Sequence, residues 1–395
     1  MKSLAVFIDL RKAFDSIDPL KLMLKLLKLN IDPRILRYLC AYFIGRCFSI
    51  NLLGFISYIF RLFKGCPQGS ILAPLLFALF YNGVGSALLL ALYKLFADDL
   101  VFYIFGLDVL SLLKQAQEIL ASLKSWCDDN DLTINFSKTK YIIFHKPRTS
   151  IAENLPDLIC NNEVVERVFE FKYLGVIYDS KLSFKSHYNH VCTRVSSAVG
   201  CLILIKRYLT LQMFKIFTNS FVYSIIDYCL PIWGCLSNTQ VNSLQSKINS
   251  VLGAYFFPQL CNKFQRYNRI SHSVNNEKYK KPNLDYSELL QRCNLLSVSE
   301  RIQYFNATFA YKSLRFAHVP EISDLFVFGN SARSQNLRQV DYASAFLQKS
   351  PIYQAIKTWN KLSPELKAQD VSLGRFKTLL GTWLIGERLN DFISD

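Results

Sequence analysis

The chain has no CxxC pair, no internal repeat and no low-complexity tract, and it holds only 15 Gly and 12 Pro in 395 residues. The first absence removes the paired-thiolate zinc frameworks, and the others remove collagen-like and low-complexity fibres. Acidic side chains are scarce as well: 30 Asp+Glu against 46 Lys+Arg leave a net charge of +16. The imbalance is steepest over 181–280, where twelve Lys/Arg face only Asp227 and Glu277. A basic surface of this kind attracts polyphosphate, with counterion release as the gain. Apolar mass is plentiful, at 51% of residues with 14% aromatic, so disorder is excluded. The length suits two or three domains, each with a core of its own.

Eleven cysteines are scattered along the chain. With no secretory leader in view they read as reduced thiols of an intracellular protein, nuclear or cytoplasmic and not secreted. His187, His190 and Cys192 cluster in sequence, but without a second cysteine pair they do not make a zinc site. Gly65 to Tyr93 is a run of 29 residues without a charge, long enough to cross a bilayer. Pro67, Gln68, Pro74, Asn82 and four glycines interrupt it, so a buried core is expected there and no membrane partner.

Leu4 to Ile8 is an apolar run that ends at Asp9, as a buried strand would. Asp18-Pro19 and Asp32-Pro33 each combine an N-cap with proline in the first turn, which predicts helices over 20–29 and up to Phe43. Residues 46–64 alternate around Gly54 as a hairpin, and 71–81 is helical with Pro74 in its first turn. Two apolar runs, 93–97 and 100–105, flank Asp98-Asp99 as a hairpin with an acidic tip. An amphipathic helix over 110–128, strands over 133–136 and 141–144, and a hairpin over 169–178 follow. Beyond Phe184 the pattern is helical, with a polar, basic linker near 258–285.

The informative feature is the pair of strand-end acids. If the strand ending at Asp9 lies beside the one at Asp98-Asp99, the carboxylates converge. Clustered carboxylates repel, and such a group is stable only if it shares protons or binds a hard cation. Two Mg²⁺ ions in that position would activate a 3′-hydroxyl and stabilise a leaving pyrophosphate.

Phe7-Ile8-Asp9-Leu10-Arg11-Lys12-Ala13-Phe14-Asp15 resembles the first catalytic motif of reverse transcriptases from non-LTR retrotransposons. The run from Gly65-Cys66-Pro67-Gln68-Gly69-Ser70 to Phe77 is similar to their next motif, and Phe96-Ala97-Asp98-Asp99 to their metal-binding box. Ser137-Lys138-Thr139-Lys140 and Phe171-Lys172-Tyr173-Leu174-Gly175 resemble the lysine motif and the primer grip. Each match is weak singly; five in the family's order are specific. Looser likeness to the region that follows the polymerase in jockey-like elements continues through Arg301 to Lys312 and Trp359 to Pro364.

The resemblance implies an α+β fold. A palm with partial fingers is expected over 1–180, an antiparallel sheet with helices on one face. A helical thumb over 181–257, the basic linker over 258–285 and a helical C-terminal region over 286–395 complete it. It implies Asp9 and Asp98 as principal metal ligands with Asp99 in support, and Mg²⁺, two ions, or Mn²⁺ in their place. Phe14 would sense the ribose, and Gln68 and Gly69 would lie by the nascent base pair. Lys138 would act on the departing pyrophosphate, and Tyr173, Leu174 and Gly175 would hold the primer end. Lys206, Arg207 and Lys215 would grip nucleic-acid phosphates. The implied partners are an RNA template, a DNA primer and deoxynucleoside triphosphates.

Three departures stand out. Only eight residues precede Asp9, so the expected chain is an N-terminally truncated one without most of the fingers. Ala73 stands where Gly is usual, and Leu100 follows the acidic pair where a small or polar residue is common. The expected function is RNA-directed DNA polymerisation. The rival is a catalytically inactive nucleic-acid-binding remnant of such an element.

Overall fold

In a computed structural model the described residues are 1–67, 69–152, 154–257, 285–316, 319–329, 335–339, 344, 346–368 and 371–393. Gln68 and nearly all of the basic linker therefore lie outside them. Two units emerge, Met1–Ser183 and Phe184–Asp395.

The first unit begins with strand β1 (Lys2–Ile8). Its five residues from Leu4 to Ile8 are all buried, because both faces of the strand are covered. Helices α1 (Pro19–Lys28) and α2 (Pro33–Phe43) start where the sequence predicts: the Asp18 carboxylate accepts the N–H groups of Leu20 and Lys21, and the Asp32 carboxylate that of Arg34. The hairpin of residues 46–64 is present in two short pairs. Strand β2 (Cys47–Phe48) pairs with β5 (Phe60–Arg61), and β3 (Asn51–Leu52) with β4 (Phe55–Ile56). Its apolar side chains are largely exposed, Leu53 at 93% and Tyr58 at 89%.

The uncharged run 65–93 divides among helix α3 (Ala73–Tyr81), a 3₁₀ segment (Asn82–Ala87) and the start of β6 (Leu92–Phe96). Among the described residues no helix is long and apolar enough to cross a membrane. Strand β7 (Asp99–Gly106) returns beside β6, and α4 (Val109–Asp129) and β8 (Lys140–Phe144) follow.

Strands β9 (Leu158–Cys160) and β10 (Glu163–Arg167) complete a six-stranded sheet, ordered β6-β7-β1-β8-β10-β9. The expected all-antiparallel sheet is corrected at one place: β10 runs parallel to β8. The expected strand over 133–136 is a single bridge, Leu10 to Ile134, because the chain turns at once through Asn135, whose carbonyl accepts the N–H groups of Lys138 and Thr139.

Alternation along the central strands sorts side chains between two cores. Leu4, Val6, Ile8, Leu100, Phe102 and Ile104 join the large cluster with α3 and α4. Ala5, Phe7, Val101 and Ile142 face the other way. That second face is covered by a separate hairpin, β11 (Glu170–Tyr173) with β12 (Val176–Asp179). Phe171 stacks on Phe7 at 4.4 Å and Tyr173 lies 5.2 Å from it, contacts worth about 0.5–1.5 kcal/mol each beyond area burial.

The regular elements of the second unit are helices among its described residues, with one isolated bridge between Phe328 and Leu337. Helix α5 (Lys185–Ile205) packs on the helix Asn238–Phe256, around Phe214, Tyr223 and Trp233. A second cluster gathers Tyr311, Trp359 and Phe376, with Tyr311 and Phe376 stacked at 3.9 Å. Arg301 pairs with Asp227 and Arg388 with Glu300, all four side chains at least four-fifths buried. The ten described cysteines are free thiols.

Candidate active site

The last antiparallel pair of β1 and β7 is Ile8 with Leu100. One step further along the same register sets Asp9 opposite Asp99. Strand alternation puts both on the face of Phe7 and Val101. Asp9 and Asp99 accordingly line one pocket of 390 Å³, together with Ser137, Lys138, Lys140, Phe171, Lys172, Tyr173 and Leu174.

The turn after Ile134 grips Asp9. Asn135 donates its backbone N–H to the Asp9 carbonyl at 2.7 Å and its side-chain amide to Asp9 Oδ2 at 2.8 Å. Thr139 Oγ1 accepts the Asp9 N–H at 3.3 Å. Lys138 Nζ stands 4.0 Å from the same Oδ2, with its side chain 70% exposed. The hydrogen bonds, not this open ion pair, hold the carboxylate in place.

Burial, then the charges of Asp98 and Asp9, push the Asp99 carboxyl above the usual carboxylate range. Burial, then Asp99 and Tyr178, push the Tyr173 hydroxyl up to about 12. A concentration of negative charge at this point favours a cation. Among the described residues no group of three or more His, Cys, Asp or Glu stands ready to hold a metal ion. The donor set of Asp9 and Asp99 still suits Mg²⁺, which takes one or two carboxylates and completes its shell with water and substrate phosphate.

Not every expected residue is on the pocket wall. Asp98 sits in the two-residue turn with Ala97 (φ +53°), between the paired Phe96 and Asp99. Its charge, after burial and Cys127, helps push the buried Tyr81 hydroxyl upward. Phe14 stacks on Phe77 at 4.6 Å against the large core. Gly69 lies in an open turn at φ +83°. Gly175 forms the tip of the β11–β12 hairpin with Leu174, at φ +81° and +44°, a turn that favours glycine. In the second unit, Lys206 and Arg207 lie in a 3₁₀ turn, Arg207 over the Tyr208 ring at 4.7 Å, and Lys215 is in helix Leu211–Phe217.

Sequence reasoning missed Asn135 and Arg46. The first stands two residues before the lysine motif, a spacing visible in the sequence. The second donates to the carbonyls of Lys64 at 3.1 Å and Gly65 at 2.6 Å, fixing the start of the Gly-Cys-Pro loop; it lies 19 residues away in an apolar hairpin, and no local signal marks it.

Residues 1–178 match the family described as reverse transcriptase (RNA-dependent DNA polymerase). The chain is 26% identical over 250 residues to the RNA-directed DNA polymerase from mobile element jockey of Drosophila funebris, covering 60% of this chain and 27% of that protein. It is 26% identical over 259 residues to a probable RNA-directed DNA polymerase from transposon X-element of Drosophila melanogaster, covering 62% and 27%. The transposon BS protein of Drosophila melanogaster, also named a probable RNA-directed DNA polymerase, is 27% identical over 262 residues, covering 63% and 28%. The chain thus spans about a quarter of the length of these relatives. Among solved structures, apo telomerase from Candida tropicalis is similar at a TM-score of 0.32 and 12% identity, over 82% of this chain and 52% of that one, too distant to carry fold or function. Residues 1–178 thus match a reverse transcriptase domain, and the chain is similar to RNA-directed DNA polymerases of mobile elements such as jockey.

Proposed function

We propose that the chain is the RNA-directed DNA polymerase portion of a non-LTR retrotransposon protein, with its nucleotidyl transfer centred on Asp9 and Asp99. The observation that carries this reading is the convergence of those two carboxylates, Lys138 and Tyr173 on one pocket. In this reading 1–180 acts as palm with partial fingers, 181–257 as thumb, 258–285 as linker and 286–395 as a helical C-terminal region. RNA template, DNA primer and deoxynucleoside triphosphates are the substrates.

The residues divide the work. Asp9 and Asp99 would hold the cations, with Asp98 adding charge from the turn. Two divalent ions, when bound, supply activation of the 3′-hydroxyl and neutralisation of phosphate charge. Lys138 would give a proton to the departing pyrophosphate as a general acid. Tyr173, Leu174 and Gly175 would seat the primer end, with Phe171 and Tyr173 fixing the hairpin onto Phe7. Phe14 would check the sugar, and Gln68 and Gly69 the base pair. Lys206, Arg207 and Lys215 would bind hybrid phosphates, by charge rather than sequence.

The test is primer extension on an RNA template with the full chain. Extension that depends on Mg²⁺ and falls to background in Asp9→Ala supports the reading. Extension retained in Asp9→Ala, or its absence in the parent chain, overturns it.

A further inference from the structure

We propose that Asn135 is a positioning residue for Asp9, and that it sets the affinity of the pocket for a divalent cation. This rests on the reading of Asp9 as a metal ligand. A ligating carboxylate works best when one oxygen is anchored and the other is free to turn to the ion, and such anchors typically change metal affinity about 10–100-fold.

The geometry around Asp9 has this form. Asn135 Nδ2 donates to Oδ2 at 2.8 Å. Ser137 Oγ donates to Asn135 Oδ1 at 2.7 Å, which fixes the amide with its NH₂ toward Asp9. Lys138 Nζ approaches the same Oδ2. Among the described residues Oδ1 takes no hydrogen bond, so the Asn135 anchor and the nearby Lys138 charge both fall on Oδ2 and leave Oδ1 without one.

The anchoring can be separated from folding. The backbone bond from Asn135 N–H to the Asp9 carbonyl, and that from Asp9 N–H to Thr139 Oγ1, do not use the Asn135 side chain. Truncating the side chain leaves the turn docked while it frees the carboxylate. The cost therefore falls on cation affinity more than on stability.

The experiment measures Mn²⁺ binding to the full chain by the loss of the free-ion electron paramagnetic resonance signal. Unfolding temperature and affinity for an RNA–DNA template–primer are followed alongside. Asn135→Ala is expected to weaken Mn²⁺ binding about tenfold, with the other two measurements unchanged. Ser137→Ala, which only loosens the amide, is expected to weaken it less than Asn135→Ala does and guards against a misfolded Asn135→Ala. Parent-like Mn²⁺ affinity in both variants, with binding lost in Asp9→Ala, overturns the role of Asn135 and leaves the metal site standing. Equal losses in stability, template–primer affinity and Mn²⁺ affinity in both variants reduce Asn135 to a structural part and also overturn it. Mn²⁺ binding unaffected by Asp9→Ala, or absent from the parent, overturns the metal site and the inference with it.

Discussion

Gly65 opens the Gly-Cys-Pro loop, and its replacement by alanine should be among the more damaging single changes in the first unit. Its φ is +83°, where a Cβ is strained, and that Cβ would stand 2.8 Å from Asp15 Cα and 2.9 Å from the Asp15 carbonyl oxygen. Both obstacles are backbone, so no side chain can swing aside. Relief requires the loop and the segment after β1 to separate. That movement strains the bonds from Gly65 N–H to the Ile17 carbonyl at 2.7 Å and from Cys66 N–H to the Phe14 carbonyl at 2.9 Å. The left-handed backbone costs about 1–2 kcal/mol and each weakened hydrogen bond about 0.5–1.5 kcal/mol, so Gly65→Ala should lose about 2–5 kcal/mol. Gly69 supplies the control, since it has the same φ of +83° but open space around its missing Cβ. Gly69→Ala should lose only the backbone part, about 1–2 kcal/mol. Urea unfolding of both variants measures the difference directly. If Gly65→Ala lost no more than Gly69→Ala, the close approach to Asp15 would not be what makes Gly65 necessary.

Two other predictions concern buried charge. Glu300 accepts from Arg388 Nε at 2.6 Å and forms a capping box with Ser297, so Glu300→Ala leaves a guanidinium buried without its carboxylate and should cost about 3–5 kcal/mol in urea unfolding; the double change of Glu300→Leu with Arg388→Met should recover much of that, and an unrecovered loss would assign the damage to the cap. Lys25 donates to the Phe80 carbonyl at 2.6 Å beneath Trp126, and burial, then Lys21 and Lys28, lower its pKa to about 8. Between pH 8 and 10.5 the unfolded lysine holds more protons than the folded one, so its contribution to stability rises with pH across that window. Lys25→Met should consequently be most favourable, relative to the parent, below pH 8, and lose about 1–2 kcal/mol of that advantage by pH 10.5 once solvent screening is allowed for; a difference flat with pH would refute it, and the comparison cancels the cysteines and tyrosines that titrate in the same range.

The elements most legible in the sequence are those decided within a few residues. Asp18-Pro19 and Asp32-Pro33 carry their own caps, and the helices begin there. The apolar run before Asp9 ends where the strand ends, because a carboxylate leaves the sheet core as soon as the chain allows it. What stayed hidden depends on partners far along the chain. Strands β9 and β10 are short, and the parallel pairing of β10 with β8 has no local mark. The grip of Asn135 on Asp9 joins positions 126 residues apart. The choice between Asp98 and Asp99 shows the limit most sharply. Both acids follow the same apolar run, and composition treats them alike. Only the two-residue turn, with Ala97 in the left-handed region, pairs Phe96 with Asp99 and so fixes the parity of β7. That parity sets Asp99 on the face of Phe7, beside Asp9, and leaves Asp98 at the tip. A slip of one residue in this turn would exchange the two acids, so the identity of the second carboxylate on the pocket wall is a property of register.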